Sequence, residues 1–273
     1  LAKQVPDTRN VGKDAMTPEG TVNRAALPAI FNPEDLNALE MALALKDETE
    51  GSTVHILTMG PPRAADIIRD AMFRGADGGY LLTDRKFAGA DTLATSYALS
   101  CALRKICPDV IVAGRQAIDG DTAQVGPQVA EKLGWPQVTY AEELLEIKAD
   151  SLVVKRRLEH GTEIVECPLP LVMTVNGSAP ECRPQNAKRV MKYKFADQVR
   201  DCGRSRLHGF GDGLGESVFA DRRAGGGRCR SRRDAAGAFR LADEGQEDRE
   251  RRFPGQGVQA AHGGRCRYRI TDG

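Results

Sequence analysis

The chain has 273 residues, enough for one large domain or two small ones with a sizeable buried core. Its formal net charge of +1 argues against nucleic acid or an anionic membrane as a partner, and no apolar run nears the roughly 20 residues that span a bilayer. Seven cysteines, at 101, 107, 167, 182, 202, 229 and 266, form no CxxC pair, and the four histidines do not cluster with them; no metal site is expected, and the pattern suits a reducing cytoplasm.

The start, LAKQVPDT, lacks Met and reads as the tail of a strand, which predicts that a few residues precede it. It has no charged n-region followed by an apolar stretch and does not read as a signal peptide. Asn32-Pro33-Glu34-Asp35 predicts a helix start, with Asn32 as N-cap, Pro33 at the first helical position, and Leu36, Leu39 and Leu43 following in helical rhythm. Thr53 to Thr58 is a short apolar strand closed by Met59-Gly60-Pro61, and Arg63 to Arg74 is an amphipathic helix. Gly79 to Leu82 is a brief strand, Asp91 to Ile106 a helix, and Asp109 to Ala113 a strand apolar on both sides, as in the middle of a parallel sheet. A further helix can start at Thr122 and run to Leu133, with Gly126 and Pro127 able to delay it. Ser151 to Arg157 and Glu163 to Cys167 flank Glu159-His160-Gly161 as a hairpin, and Leu171 to Val175 is a buried strand. The order predicts an α/β fold: a mainly parallel sheet with helices on both faces, plus a β-hairpin.

Near residue 197 the character changes. Residues 200–273 contain no Lys and a single Ile, while Arg and Gly abound, as in RRAGGGRCRSRR. Such a segment buries too little apolar area to offset its chain entropy. It divides the chain into a nucleotide-binding α/β domain over 1–197 and an Arg/Gly-rich tail over 198–273, expected to be disordered or to derive from an out-of-frame reading of a GC-rich gene. An RNA-binding tail and a natural linker are the other readings.

The chemistry concentrates at strand ends. In open α/β sheets ligands bind at the carboxyl ends of strands. After the 109–113 strand comes Gly114-Arg115-Gln116-Ala117-Ile118-Asp119-Gly120-Asp121-Thr122-Ala123-Gln124-Val125, whose glycines let backbone approach a ligand and whose helix start offers free N–H groups to phosphate. Arg115 could clamp an anion; Asp119 and Asp121 suit a ribose hydroxyl or a helix cap. Lys3 to Thr8, Asn32 to Asp35 and Met59 to Pro61 fall at comparable ends, so four rim segments converge. No nucleophile–base pair accompanies Ser96, Ser151 or Ser178, so no catalytic residue is expected. The chain is equipped to hold a cofactor that carries the chemistry, and it is not expected to be an enzyme by itself.

These segments resemble electron-transfer flavoprotein β subunits: Lys3-Gln4-Val5-Pro6-Asp7, Asn32-Pro33 with its helix, Arg69 to Asp77, GRQAIDGDTAQVGPQ, Trp135-Pro136-Gln137 and VKRRLEHGTEIVECPLPLVMT. The likeness runs in order over residues 1 to about 195, with His160 replacing a usual small or acidic residue. It implies an adenine-nucleotide-hydrolase-like fold and a heterodimer with a larger α subunit that holds the electron-transferring FAD. It implies AMP or a second FAD in the β subunit, at Leu1, Asn32 to Asp35, Met59 and Gly114 to Val125. Thr8 and Glu34 match positions near the α-subunit flavin. Gly177 to Lys192 matches the loop that docks onto acyl-CoA dehydrogenase-type partners, with the apolar anchor position falling near Ala187. DGDTAQVGP is more similar to the branch with FAD in the β site, which bifurcates electrons from NADH, than to the AMP-holding mitochondrial type. Beyond residue 197 the likeness stops, where the family has an arm wrapping onto the α subunit. The alternative function is an ATP-binding regulatory module of the universal-stress type, for which the chain lacks the triphosphate-cradling loop.

Overall fold

The computed structural model describes residues 1–7, 28–194, 216–219 and 267–270. Thr8 and most of the 198–273 tail therefore lie outside the described residues.

The strands are β1 (Gln4–Pro6), β2 (Ala29–Phe31), β3 (His55–Met59), β4 (Gly78–Leu82), β5 (Val110–Gly114), β6 (Gln137–Ile147), β7 (Ser151–Leu158), β8 (Gly161–Pro168), β9 (Leu171–Val175), β10 (Glu216–Phe219) and β11 (Arg267–Ile270). The helices are α1 (Pro33–Glu48), α2 (Ala65–Arg74), α3 (Thr92–Ile106), α4 (Val125–Leu133) and α5 (Ala187–Tyr193). The fold is α/β, with its strands in a two-stranded sheet (β1-β2), a three-stranded mixed sheet (β10-β4-β3) and a six-stranded mixed sheet (β11-β8-β7-β6-β9-β5). β3 pairs with β4 in parallel, and β9 pairs in parallel with β5 on one side and β6 on the other. β6, β7 and β8 then continue antiparallel. β10 adds antiparallel to β4, and β11 to β8.

Residues 1–3 join the two halves. The Ala2 N–H donates to the Leu57 carbonyl at 3.0 Å, and the Leu1 amino group donates to the Val112 carbonyl at 2.5 Å. The start of the chain thus lies between β3 and β5, and β1 turns away to pair with β2.

Period-two alternation divides the core between two faces. Ile56 joins a cluster with Leu39, Leu43, Ile68 and Ala71 of α1 and α2. Its neighbour Leu57 joins Leu99, Leu103 and Val129 of α3 and α4 on the opposite face. β9 is buried along its whole length: Leu171, Met173 and Val175 face one way, and Val172 faces the α3/α4 side. Each such side chain contributes about 1.5–3 kcal/mol on leaving water. α1 serves two clusters, Leu39 and Leu43 in one and Ala38 and Met41 in the other, so its apolar stripe is broad.

β2, β6, α5, β10 and β11 are elements that patterning missed, the last two being strands within the tail expected to be disordered, where they pair with β4 and β8. In β6, Glu142-Glu143-Leu144-Leu145-Glu146 has a helix-like composition. Register shifts on both sides of Leu144, and the left-handed backbone of Tyr140 at φ 59°, break the alternation that marks a strand.

Segment 176–194 is tied along the outside of α1 and α2. The Arg183 guanidinium donates to both oxygens of Glu40 at 2.8–3.1 Å and to Asp47 at 2.8 Å, and its backbone N–H also donates to Glu40. Partial burial pushes the Glu40 carboxyl up, but the Arg183 hydrogen bonds and charge outweigh this and hold it below its ordinary 4.5. That stabilisation is full above about pH 4.5 and is lost as pH falls below it. Replacing Arg183 by methionine is expected to cost about 1–2 kcal/mol at pH 7. Thermal melts at pH 7 and pH 3.5 should show the penalty shrinking in acid.

Candidate functional site

A cleft of about 630 Å³ opens at the carboxyl ends of β3 and β5. Residues 1–6 form one wall and Met59-Gly60-Pro61 another, while the stretch from Ala113 to Gly126 supplies a third. Leu1, Lys3, Asp35, Met59, Gly114 to Ala117 and Asp119 to Val125 all line it, as the sequence places them. A fourth wall comes from Phe87 to Thr95, which sequence reasoning did not find. The only sequence signal there is the polar start of α3, where the Asp91 carboxylate caps the Ala94 N–H at 2.8 Å.

Asn32, Pro33, Glu34 and Ile118 stand behind the cleft rather than on it. Asn32 occupies the N-cap position of α1, yet its side chain makes no capping bond. It is fully buried and latches the loop instead, donating to the Gln116 carbonyl at 2.8 Å and accepting from the Ile118 N–H at 3.2 Å. A buried amide satisfies its donor and acceptor where partners exist, and here the loop supplies them. Glu34 accepts from the Arg115 guanidinium at 2.7 and 3.3 Å and from the Gln116 N–H at 3.1 Å. Arg115, read from sequence as an anion clamp, therefore spends its fork on Glu34 and lies 5.9 Å over the Tyr140 ring.

Asp35 holds the wall from within. One oxygen accepts from the Lys3 N–H at 2.8 Å and the other from the Gly114 N–H at 3.0 Å. Burial pushes its carboxyl up to about 6, against the pull of the Leu1 amino group and of those hydrogen bonds. Gly114 is required at this contact: a Cβ there would run into the Asp35 carboxylate and the Glu34–Asp35 backbone.

The loop between β5 and α4 is tightly constrained. Asp121 and Ala123 take left-handed conformations, φ 45° and 52°, which cost non-glycine residues about 1–2 kcal/mol each. α4 begins at Val125, not at Thr122, because those two residues cannot continue a right-handed helix. Neither Asp119 nor Asp121 caps it. Lys3 Nζ pairs with Asp119 at 2.7 Å, and Gln116 Nε2 donates to Asp121 at 2.8 Å. No side chain caps α4, so the Val125 and Gly126 N–H groups are left for the cleft. Gly126 lets α4 press on β9, since a Cβ there would overlap the Thr174 methyl.

The arrangement sets an apolar surface beside an uncapped helix start. Met59, Leu99 and Val125 give an apolar surface for a flat ring, the α4 N-terminus gives N–H groups and partial positive charge for phosphate, and Lys3 adds a cation. Among the described residues no three His, Cys, Asp or Glu side chains gather as metal ligands.

The family model of the electron transfer flavoprotein domain matches residues 19–198. Among curated relatives, the caffeyl-CoA reductase-Etf complex subunit CarD of Acetobacterium woodii is 50% identical over 174 residues, covering 63% of this chain and 65% of its own. The electron transfer flavoprotein subunit beta of Clostridium acetobutylicum is 51% identical over 172 residues, covering 63% and 65%. The acryloyl-CoA reductase electron transfer subunit gamma of Anaerotignum propionicum is 52% identical over 175 residues, covering 63% and 64%. The chain thus spans just under two thirds of the length of these relatives.

Proposed function

Since the chain belongs to the electron transfer flavoprotein β-subunit family, we propose that it holds an adenine nucleotide in the cleft beside β3 and β5 and acts with an FAD-holding α subunit as an electron carrier between dehydrogenases. The observation that carries this is the pairing of an apolar wall with an uncapped helix start across the 114–126 loop. The preferred ligand is FAD, with AMP the alternative. The DGDTAQVGP sequence favours FAD, and with it bifurcation of electrons from NADH. The roughly 630 Å³ of the cleft also leaves room beyond a mononucleotide. Relatives named for caffeyl-CoA and acryloyl-CoA reductases support a partner of the acyl-CoA dehydrogenase type.

When bound, the flavin supplies the electron storage; the chain binds, orients and shields it. The α4 N–H groups take the phosphates, with Lys3 exchanging its bond to Asp119 for one to phosphate. Met59, Leu99 and Val125 cover the adenine, and the Asp119–Asp121 turn meets the ribose. Asn32 and Glu34 keep the loop in place from behind the cleft, and Asp35 does so from its wall. Glu34 and Arg115 form the outer side of this wall, which the α-subunit flavin would face. No helix among the described residues is long and apolar enough to cross a membrane. A cytoplasmic setting is proposed from the cysteine usage, which has no CxxC pair.

The test is ligand release. After co-expression with an α subunit and purification, denaturation and mass spectrometry are expected to yield two FAD per heterodimer. One FAD with one AMP would move the ligand assignment to the alternative. A heterodimer with neither nucleotide in the β site would overturn the proposal.

A further inference from the structure

We propose that a second cleft, between the end of α1, the end of α2 and residues 183–189, is a binding site for a phosphate-bearing small molecule, with Arg189 as its clamp. It is separate from the nucleotide cleft: Lys46 on its wall lies about 16 Å along α1 from Asp35.

Four cations from four pieces of backbone line this cleft. Lys46 comes from α1, Arg74 from α2, Arg183 from the segment after β9, and Arg189 from α5. Asp47 is the one acidic side chain among the lining residues. The cleft holds about 390 Å³, within the roughly 300–1,000 Å³ of small-molecule sites. Leu43 and Pro184 add an apolar part to its wall, so more than a bare ion fits the lining.

Three of the cations have partners. Lys46 Nζ pairs with Asp77 at 2.7 Å, and Arg183 pairs with Glu40 and Asp47, each at 2.8 Å. Arg74 reaches Asp70 at 3.4 Å and donates to the Arg183 carbonyl at 2.8 Å. These ties hold the wall in shape without using all its donors, since Arg74 Nε is buried and makes no hydrogen bond.

Arg189 differs from the other three. It is half-buried, and its guanidinium has neither an acceptor nor an ion-pair partner among the described residues. Its backbone is held all the same, because the Asn186 side chain accepts from the Arg189 N–H at 3.3 Å. The acids held by the other cations are already spent, which leaves the Arg189 fork for a ligand. A half-buried guanidinium without an acceptor costs free energy that a bound anion recovers. A planar carboxylate is filled by one guanidinium fork, whereas donors from four elements suit an anion with oxygens on several sides. Phosphate has that shape.

Inorganic phosphate is the probe, titrated by calorimetry into the full chain purified with its α subunit, at about 0.15 M salt. Saturable binding is expected that chloride does not reproduce, and Arg189→Gln is expected to weaken it about tenfold or more. Arg189 bonds no acceptor, so Arg189→Gln without phosphate should keep the wild-type Tm. No saturable binding in the wild type, or equal competition by chloride, would overturn the proposal. Unchanged affinity in Arg189→Gln would also overturn it and assign the phosphate to another site, such as the α4 N-terminus. A lower Tm in phosphate-free Arg189→Gln would make Arg189 a structural tie, and that too would count against the clamp.

Discussion

Gly114→Ala is expected to destabilise the protein by about 1–3 kcal/mol and, on the proposed function, to lower the nucleotide content of the cleft. The position closes β5, where the chain presses against the first turn of α1 at Glu34 and Asp35. An added methyl would meet the Asp35 carboxylate and the Glu34–Asp35 backbone, neither of which is a flexible tip that can swing away. Either the Gly114 N–H leaves Asp35 or α1 shifts, and both displace the loop that starts at Arg115. Differential scanning calorimetry should show a lower Tm, by about 2–4 °C per kcal/mol for a chain of this size. Gly120→Ala is the control. Nothing lies within 4 Å of a Cβ at that position, so its Tm should match the wild type. A Gly114→Ala protein with wild-type Tm and nucleotide content would refute the close-approach argument.

Asp35→Ala is expected to cost about 2–5 kcal/mol, because it leaves the Lys3 and Gly114 N–H groups buried without acceptors. Both groups sit in the wall of the cleft, so nucleotide content should fall with stability. The wild type carries a matching pH signature. Burial raises the Asp35 carboxyl from 3.8 to about 6, so the folded state binds its proton more tightly than the unfolded chain does. Between those two values the folded state holds more protons, and stability therefore falls as pH rises through the window. Above about pH 6 the cost of the buried charge is fully present. Asp35→Asn keeps one acceptor and has no proton to lose. Chemical denaturation from pH 4 to 7 should show the decline in the wild type and not in Asp35→Asn. Equal slopes would show that the carboxyl is not held in the way described.

Local chemistry made much of this molecule legible in advance. β9 spans Leu171–Val175, the run the sequence marks as buried, because four apolar residues with only Thr174 among them need shielding on both faces. The hairpin of β7 and β8 closes at Leu158 and Gly161 around Glu159 and His160, as the turn residues indicate. The 114–126 loop and Met59 reach one cleft because β5 and β3 both end there, and Lys3 joins them because residues 1–2 bond to both strands. β6 hid because its bulges break the period on which strand detection depends. α5 hid because the Asn186 cap and the ties of the segment before it hold it, not an apolar stripe.

Among the site residues, the sequence by itself determined which segments meet. It did so through the order of strands and the placement of glycines where backbone must come close. What each side chain does there was decided only by the tertiary structure. Asn32 looks like a helix cap and Arg115 like a phosphate clamp when only neighbours in the chain are considered. Across 84 and 81 residues they find Gln116 and Glu34 instead. A buried polar group takes the partner that folding brings nearest, and sequence distance carries no information about which partner that is.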